Sequence, residues 1–82
     1  LVTIIFEGYK IIDCSLDKKK YGEAGHPDYI IIKGKEKIFV ETKFDEDGVS
    51  KRQMKWYIKN KKQKIMILYL DDCKEYKKWF FT

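Results

Sequence analysis

Two apolar runs meet around Gly34-Lys35, with Tyr29-Ile30-Ile31-Ile32-Lys33 before the pair and Glu36-Lys37-Ile38-Phe39-Val40 after it. This pattern around a glycine-containing pair predicts an antiparallel hairpin with a two-residue turn. With Gly34 and Lys35 in the turn, Lys33 faces Glu36 and every later pair follows in the same register. Asp28 then lies opposite Glu41. Directly opposed residues share a face at about 4.5–5.5 Å between Cβ atoms, and like charges placed that way repel. A bound cation between them would turn the repulsion into attraction. Lys43 belongs to the same face because strand side chains alternate. The opposition depends on the register, since a one-residue slip moves every side chain to the other face.

The rest of the chain supplies elements to pack against this hairpin. Leu1–Phe6 is apolar and stops at Glu7-Gly8, which suits either the last turns of a helix or a strand turning into the next one. Tyr9–Leu16 reads as a strand. Asp17–Pro27 holds Lys18-Lys19-Lys20, Gly22, Gly25 and the one proline, and reads as a basic loop. Asp45-Glu46-Asp47 marks an acidic turn after the hairpin. Ser50 followed by Gln53 is a capping box that starts a helix, with Val49 and Met54 placed as its hydrophobic staple. Met54, Tyr57 and Ile58 give that helix an apolar stripe, while Lys51, Lys55, Lys59 and Lys62 trace its solvated side. Lys64–Leu70 is a nearly continuous apolar run, as in a strand buried on both faces. The tail from Asp71 to Thr82 reads as a short closing helix capped by Asp71 or Asp72. The expected fold class is α/β, a mixed sheet in the order β-β-β-α-β flanked by helices, forming one domain over residues 1–82.

Charge narrows the partners. Eighteen basic residues, all but Arg52 lysine, oppose 13 acids in 82 residues and give a net charge of +5. That balance suits a polyanion such as nucleic acid, and equally a lysine-rich solvated surface. Cys14 and Cys73 form neither a zinc framework nor a disulfide scaffold, which fits reduced thiols in an intracellular protein. The longest apolar stretches are too short to span a bilayer.

Phosphodiester hydrolysis needs an activated water, charge neutralisation at phosphorus and help for the leaving oxygen, and carboxylate-held divalent metals supply all three. Asp28 and Glu41 are hard oxygen ligands suited to magnesium or manganese, and the Thr42 carbonyl adds a backbone ligand. Lys43 is placed to hold the attacking water or to stabilise the pentavalent phosphorane. The competing reading is an exposed sheet face on which lysines neutralise Asp28 and Glu41. For Lys18, Lys19, Lys20, Lys51 and Arg52 the functional reading is contact with backbone phosphates, and the structural one a solvated face. His26 reads as a loop histidine or a phosphate contact, and Glu23 as a surface residue or a further carboxylate. Tyr21 and Trp56 are candidates to stack on an unpaired base, with core packing the alternative for Trp56.

Gly25-His26-Pro27-Asp28, the spacer, Glu41-Thr42-Lys43 and Ser50-Lys51-Arg52-Gln53 together resemble the PD-(D/E)XK nuclease superfamily, nearest to its virus-type replication-repair (VRR-NUC) branch and to archaeal Holliday-junction resolvases. The likeness spans roughly residues 8 to 70. It implies a restriction-endonuclease-like core with Asp28 and Glu41 as metal ligands and Lys43 as the catalytic lysine. Gln53 matches a glutamine that such relatives carry on the next helix, where an amide can orient the water or contact the scissile phosphate. The resemblance also places an N-terminal-helix glutamate upstream of Leu1, because Glu7 is adjacent to Gly8.

The expected activity is therefore metal-dependent cleavage of DNA, of branched, flapped or junction form by resemblance, with Mg2+ or Mn2+ as cofactor. Two sites are needed to cut both strands symmetrically, which makes a homodimer the expected assembly. The alternatives are a non-catalytic nucleic-acid-binding module of the same fold and a protein-interaction domain with a charged hairpin.

Overall fold

In a computed structural model the chain is described over residues 7–44, 48–70 and 75–80. The hairpin forms in the expected register. β2 (Tyr29–Lys33) and β3 (Glu36–Phe44) pair from Lys33 with Glu36 through to Tyr29 with Val40. Gly34 turns the chain with φ 61°, the left-handed conformation that a two-residue hairpin loop demands at its first position. β1 (Lys10–Asp13) adds antiparallel to the other edge of β2, joining Ile11 to Ile31 and Asp13 to Tyr29.

From β3 the chain crosses through α2 (Lys51–Lys59) and returns in β4 (Lys64–Leu70), which lies parallel to β3. A parallel neighbour needs such a crossover, and the helix supplies it. β5 (Glu75–Phe80) then pairs antiparallel with β4, from Leu70 opposite Glu75 to Ile65 opposite Phe80. The result is a mixed five-stranded sheet in the order β1-β2-β3-β4-β5.

Three expectations change. The tail is a strand over Glu75–Phe80 rather than a closing helix, because it covers the edge that β4 would otherwise leave unpaired. Asp71 and Asp72, the expected caps, lie outside the described residues, as do Leu1–Phe6 and Asp45-Glu46-Asp47. The first strand ends at Asp13, whose side chain accepts the Ser15 N–H and opens a single 3-10 turn over Cys14–Leu16. Within the basic loop, Asp17 caps a four-residue helix, α1 (Lys18–Tyr21), by accepting from the Lys20 N–H. The order of elements is thus longer than β-β-β-α-β, with two helical turns between the first two strands and a fifth strand at the end.

α2 also sits in a different phase from the one expected. Its capping box is present in full, Ser50 accepting the Gln53 N–H and Gln53 accepting the Ser50 N–H. Tyr57 of the expected stripe is buried, yet Met54 and Ile58 are 37% and 56% exposed, and Trp56 is buried beside Tyr57 instead. This phase puts the large indole of Trp56 in the core beside Tyr57. Gln53 shares that inward face, and its amide is held by β3 as described below. On this side of the sheet Trp56 and Tyr57 pack with Ile30, Phe39, Ile65 and Ile67. A second cluster joins Ile31, Ile38, Val40, Met66 and Leu68. Ile65 through Leu68 are all buried, as a strand flanked on both faces requires.

Candidate active site

The paired carboxyls sit where the β2–β3 ladder ends. In the ladder's alternation, residues 33, 31 and 29 of β2 exchange both backbone bonds with 36, 38 and 40 of β3. The next such pair would be Pro27 with Thr42. Pro27 has no N–H to give, and its carbonyl oxygen accepts from Nδ1 of His26 at 2.8 Å. The Thr42 N–H is taken instead by a side chain, donating to Asp28 Oδ2 at 3.0 Å, with the Thr42 hydroxyl donating to the same oxygen at 2.7 Å. Asp28 is anchored on its other side by its own carbonyl, which accepts from the Cys14 N–H at 2.9 Å.

Asp28 and Glu41 come into hydrogen-bond contact, carboxyl to carboxyl. Glu41 is 5% exposed, the one charged side chain buried among the described residues. Burial and the neighbouring Asp28 push its carboxyl up to about 8, against which Lys43 and Gln53 act only in part. Burial also works to raise Asp28, but the hydrogen bonds from Glu41 and Thr42 and the charge of Lys43 outweigh it and hold Asp28 below its ordinary value. At neutral pH the pair therefore keeps one proton, carried by Glu41 and shared with Asp28. Two carboxyls this close cannot both ionise without a compensating positive charge.

Lys43 and Gln53 complete the group. Gln53 Nε2 donates to Glu41 Oε1 at 3.1 Å, and Gln53 Oε1 accepts from Lys43 Nζ at 2.7 Å. The same Oε1 accepts the Ser50 N–H at 3.0 Å. One amide thus caps the helix and links the two side chains of β3. The structure brings Asp28, Glu41, Thr42, Lys43 and Gln53 together within one hydrogen-bonded network.

The remaining candidates fall around that network. Lys18, Lys19 and Lys20 are exposed on α1, and Lys18 lines a cleft with Asp28. Lys51 and Arg52 are exposed in the first turn of α2, which carries no acidic residue. Glu23 does not join the carboxyl pair, and it is bound at 2.7 Å to Lys59 on the surface. His26 is half-buried, with its ring against Phe39 and Trp56. Trp56 is a core residue.

Tyr57, expected only as part of the core stripe, is close enough to Glu41 and Asp28 for their charges to act on it. Burial first, and then those carboxyls, drives its hydroxyl far above the ordinary range, so it stays neutral. Its burial is legible from helical spacing. Its position beside the carboxyls follows from the phase of α2, which the apolar stripe misassigns.

Among the described residues no cluster of three or more acidic, histidine or cysteine side chains is arranged to hold a metal, and no helix is long and apolar enough to cross a membrane. The donor set present nevertheless fits a small hard cation. It offers oxygens only, from two carboxyls that repel once ionised, and magnesium is commonly bound through one or two carboxylates with water and phosphate completing its shell.

A mixed α/β sheet thus brings two carboxyls, a lysine and a glutamine together at the end of a hairpin. The chain belongs to the VRR-NUC domain family, whose model matches residues 9–71, and it is accordingly a PD-(D/E)XK-like nuclease domain. No curated protein matches the chain.

Proposed function

We infer that this protein is a metal-dependent endonuclease that hydrolyses DNA phosphodiester bonds from a restriction-endonuclease-like core over residues 1–82. The observation that carries this reading is the Asp28–Glu41 carboxyl pair tied through Gln53 to Lys43. Asp28, Glu41 and the Thr42 carbonyl are the groups that would hold Mg2+ or Mn2+. When bound, the ion supplies charge neutralisation at phosphorus and a more acidic water. Pro27 favours this role for Thr42, since it cannot donate to the Thr42 carbonyl from the β2 side.

The chain's own residues then have distinct tasks. To hold such an ion Glu41 would have to lose its proton to solvent, and Gln53 Nε2, already bound to its carboxyl, would keep the carboxylate oriented. Lys43 presents its ammonium to the phosphoryl oxygens, where negative charge grows in the transition state. Gln53 fixes the Lys43 side chain so that little reorganisation is needed. Lys18, Lys19 and Lys20 on one side and Lys51 and Arg52 on the other bind flanking phosphates. Lys51 and Arg52 occupy a helix N-terminus, where cations oppose the helix dipole. Their placement there is better suited to receiving an anion than to stabilising α2.

Branched, flapped or junction DNA is the substrate class this reading favours, and a homodimer is its assembly. The exposed Met54 and Ile58 on the outer face of α2 offer an apolar contact for a second copy. Light scattering of the purified protein tests that assembly, and a monomer that cuts both strands together counts against it.

The activity test incubates linear, flapped and four-way-junction DNA with the protein in Mg2+, Mn2+ or EDTA, beside Asp28→Ala and Lys43→Ala. Cleavage that needs metal and disappears in both variants supports the enzyme. DNA that is shifted on a gel but left intact, equally for wild type and variants, overturns it in favour of a binding module.

A further inference from the structure

A cleft of about 310 Å3 opens beside Asp28, between α1 and the segment that leads into β2. Buried Cys14 and Pro27 form its apolar inner part. Tyr21 and His26 line it with their rings 5.4 Å apart, and Lys18 stands exposed at its rim. Ligand pockets run from about 300 to 1,000 Å3, so this one is sized for a single ring system and is far too small for a duplex.

Its walls are already fixed. His26 donates to the Pro27 carbonyl and packs edge-on against Trp56 and Phe39 at 5.0 and 5.9 Å between centroids. Tyr21 packs on the same core cluster as a half-buried side chain. An aromatic surface held in place before binding loses little freedom when a ligand stacks on it. Glu23 also borders the cleft, but its carboxylate is paired with Lys59, so its charge is offset there. Aromatic walls beneath a cationic rim are the combination that binds single-stranded nucleic acid, with stacking for the base and an ammonium for the phosphate.

We propose that this cleft takes one unpaired nucleobase of the DNA substrate, stacked against Tyr21 and His26, with Lys18 on the adjoining phosphate. Because Asp28 lines the same cleft, the phosphodiester linked to that base is delivered to the carboxyl pair. The proposal rests on the nuclease reading of Asp28 and Glu41 and adds to it the reason for a preference. A fully paired strand keeps its bases stacked inside the helix and cannot fill the cleft without extruding one, whereas an unpaired base enters without that cost. A second cleft, of about 330 Å3, shares Glu23 with the first and is lined by Arg52, Lys55 and Lys59. Lys59 is held there by Glu23, so the second cleft gives the strand leaving the base pocket a cationic path along α2 through Arg52 and Lys55, and it assigns Lys55 to substrate contact.

The test is equilibrium binding in EDTA, which keeps the DNA intact, with a blunt duplex and the same duplex carrying a single bulged 2-aminopurine. The wild type is expected to bind the bulged probe roughly 5- to 150-fold more tightly, the range of one base–aromatic stack, and to quench its fluorescence. Tyr21→Ala brings the affinity ratio close to one, and Tyr21→Phe preserves it. Equal affinity for the two probes, no quenching with wild type, or a preference that survives Tyr21→Ala overturns the proposal. Cleavage is scored separately. Metal-dependent cutting lost in Asp28→Ala, without a Tyr21-dependent preference, overturns the base pocket and leaves the nuclease standing. A Tyr21-dependent preference with no cutting in any metal keeps the pocket and overturns the nuclease.

Discussion

Replacing Glu41 by glutamine removes one ionisable group while changing little shape, so it isolates the proton held by the carboxyl pair. The introduced carbonyl can still accept from Gln53, and the introduced NH2 can donate to Asp28 in place of the shared proton. In the folded chain Glu41 titrates at about 8, against an ordinary 4.5, because of burial and the neighbouring Asp28. A carboxyl whose value is raised by folding holds its proton more tightly folded than unfolded. The stability it lends is complete below 4.5 and is lost as pH rises through about 8. At 1.36 kcal/mol per pH unit, the metal-free wild type should lose up to about 5 kcal/mol across that window. This is a large share of the roughly 5–15 kcal/mol that holds a domain folded. The Glu41→Gln curve should be nearly flat there. The two proteins should agree to within about 1 kcal/mol near pH 5, with the variant ahead by several kcal/mol above pH 8. Urea denaturation in EDTA, followed by the fluorescence of buried Trp56, measures both curves. Wild-type and variant stabilities that run parallel from pH 5 to 9 would refute the shared proton.

Three further outcomes follow from the same geometry. Cation binding must displace the Glu41 proton, so calorimetry at pH 7 should record release of about 0.9 proton per ion, with an apparent affinity about tenfold weaker than at pH 9. Gln53→Ala should lower stability by about 1–2 kcal/mol through the lost cap bond and lower cleavage by about 10- to 100-fold. Gln53→Glu should restore the cap but not cleavage, since it sets a further negative charge beside Glu41; paired denaturation and cleavage assays read the two effects apart. Gly25 has φ 84°, and a Cβ there would overlap the Arg52 carbonyl oxygen on α2. Gly25→Ala should therefore cost at least about 2 kcal/mol in a urea titration, with cleavage falling as the His26–Asp28 segment is pushed off the helix.

Local signals of fixed spacing are legible in the amino-acid sequence alone. The hairpin register follows from one turn pair, and the capping box at Ser50 and Gln53 fixes the start of α2. Both depend on backbone bonds between residues near in sequence, where the chemistry leaves few alternatives. The phase of α2 is not legible in the same way. Met54, Tyr57 and Ile58 fit a helical stripe as well as Gln53, Trp56 and Tyr57 do, and the choice is made by Glu41 and Lys43 on β3, which hold the Gln53 amide. The tail departs from its expected helix for a related reason. Whether Glu75–Phe80 becomes helix or strand depends on an unpaired edge of β4, which no local pattern in the tail encodes.

Pro27 joins these two kinds of information. As a local signal it marks a loop. In the register of the hairpin it gains a second meaning, because it falls opposite Thr42 at the position where both backbone bonds would next be exchanged. A residue with an N–H there could donate to the Thr42 carbonyl and carry the ladder one pair further. With proline the Thr42 carbonyl has no such donor, and with the Pro27 carbonyl held by His26 Nδ1 the Thr42 N–H and hydroxyl go to Asp28. Asp28 is thereby fixed against Glu41 instead of being repelled from it. His26, Pro27 and Asp28 thus act together: Pro27 ends strand pairing, His26 occupies its carbonyl, and the Asp28 carboxylate accepts the Thr42 N–H. The carboxyl pair owes its position to an interruption of the sheet, and its proton to the burial that the rest of the sheet provides.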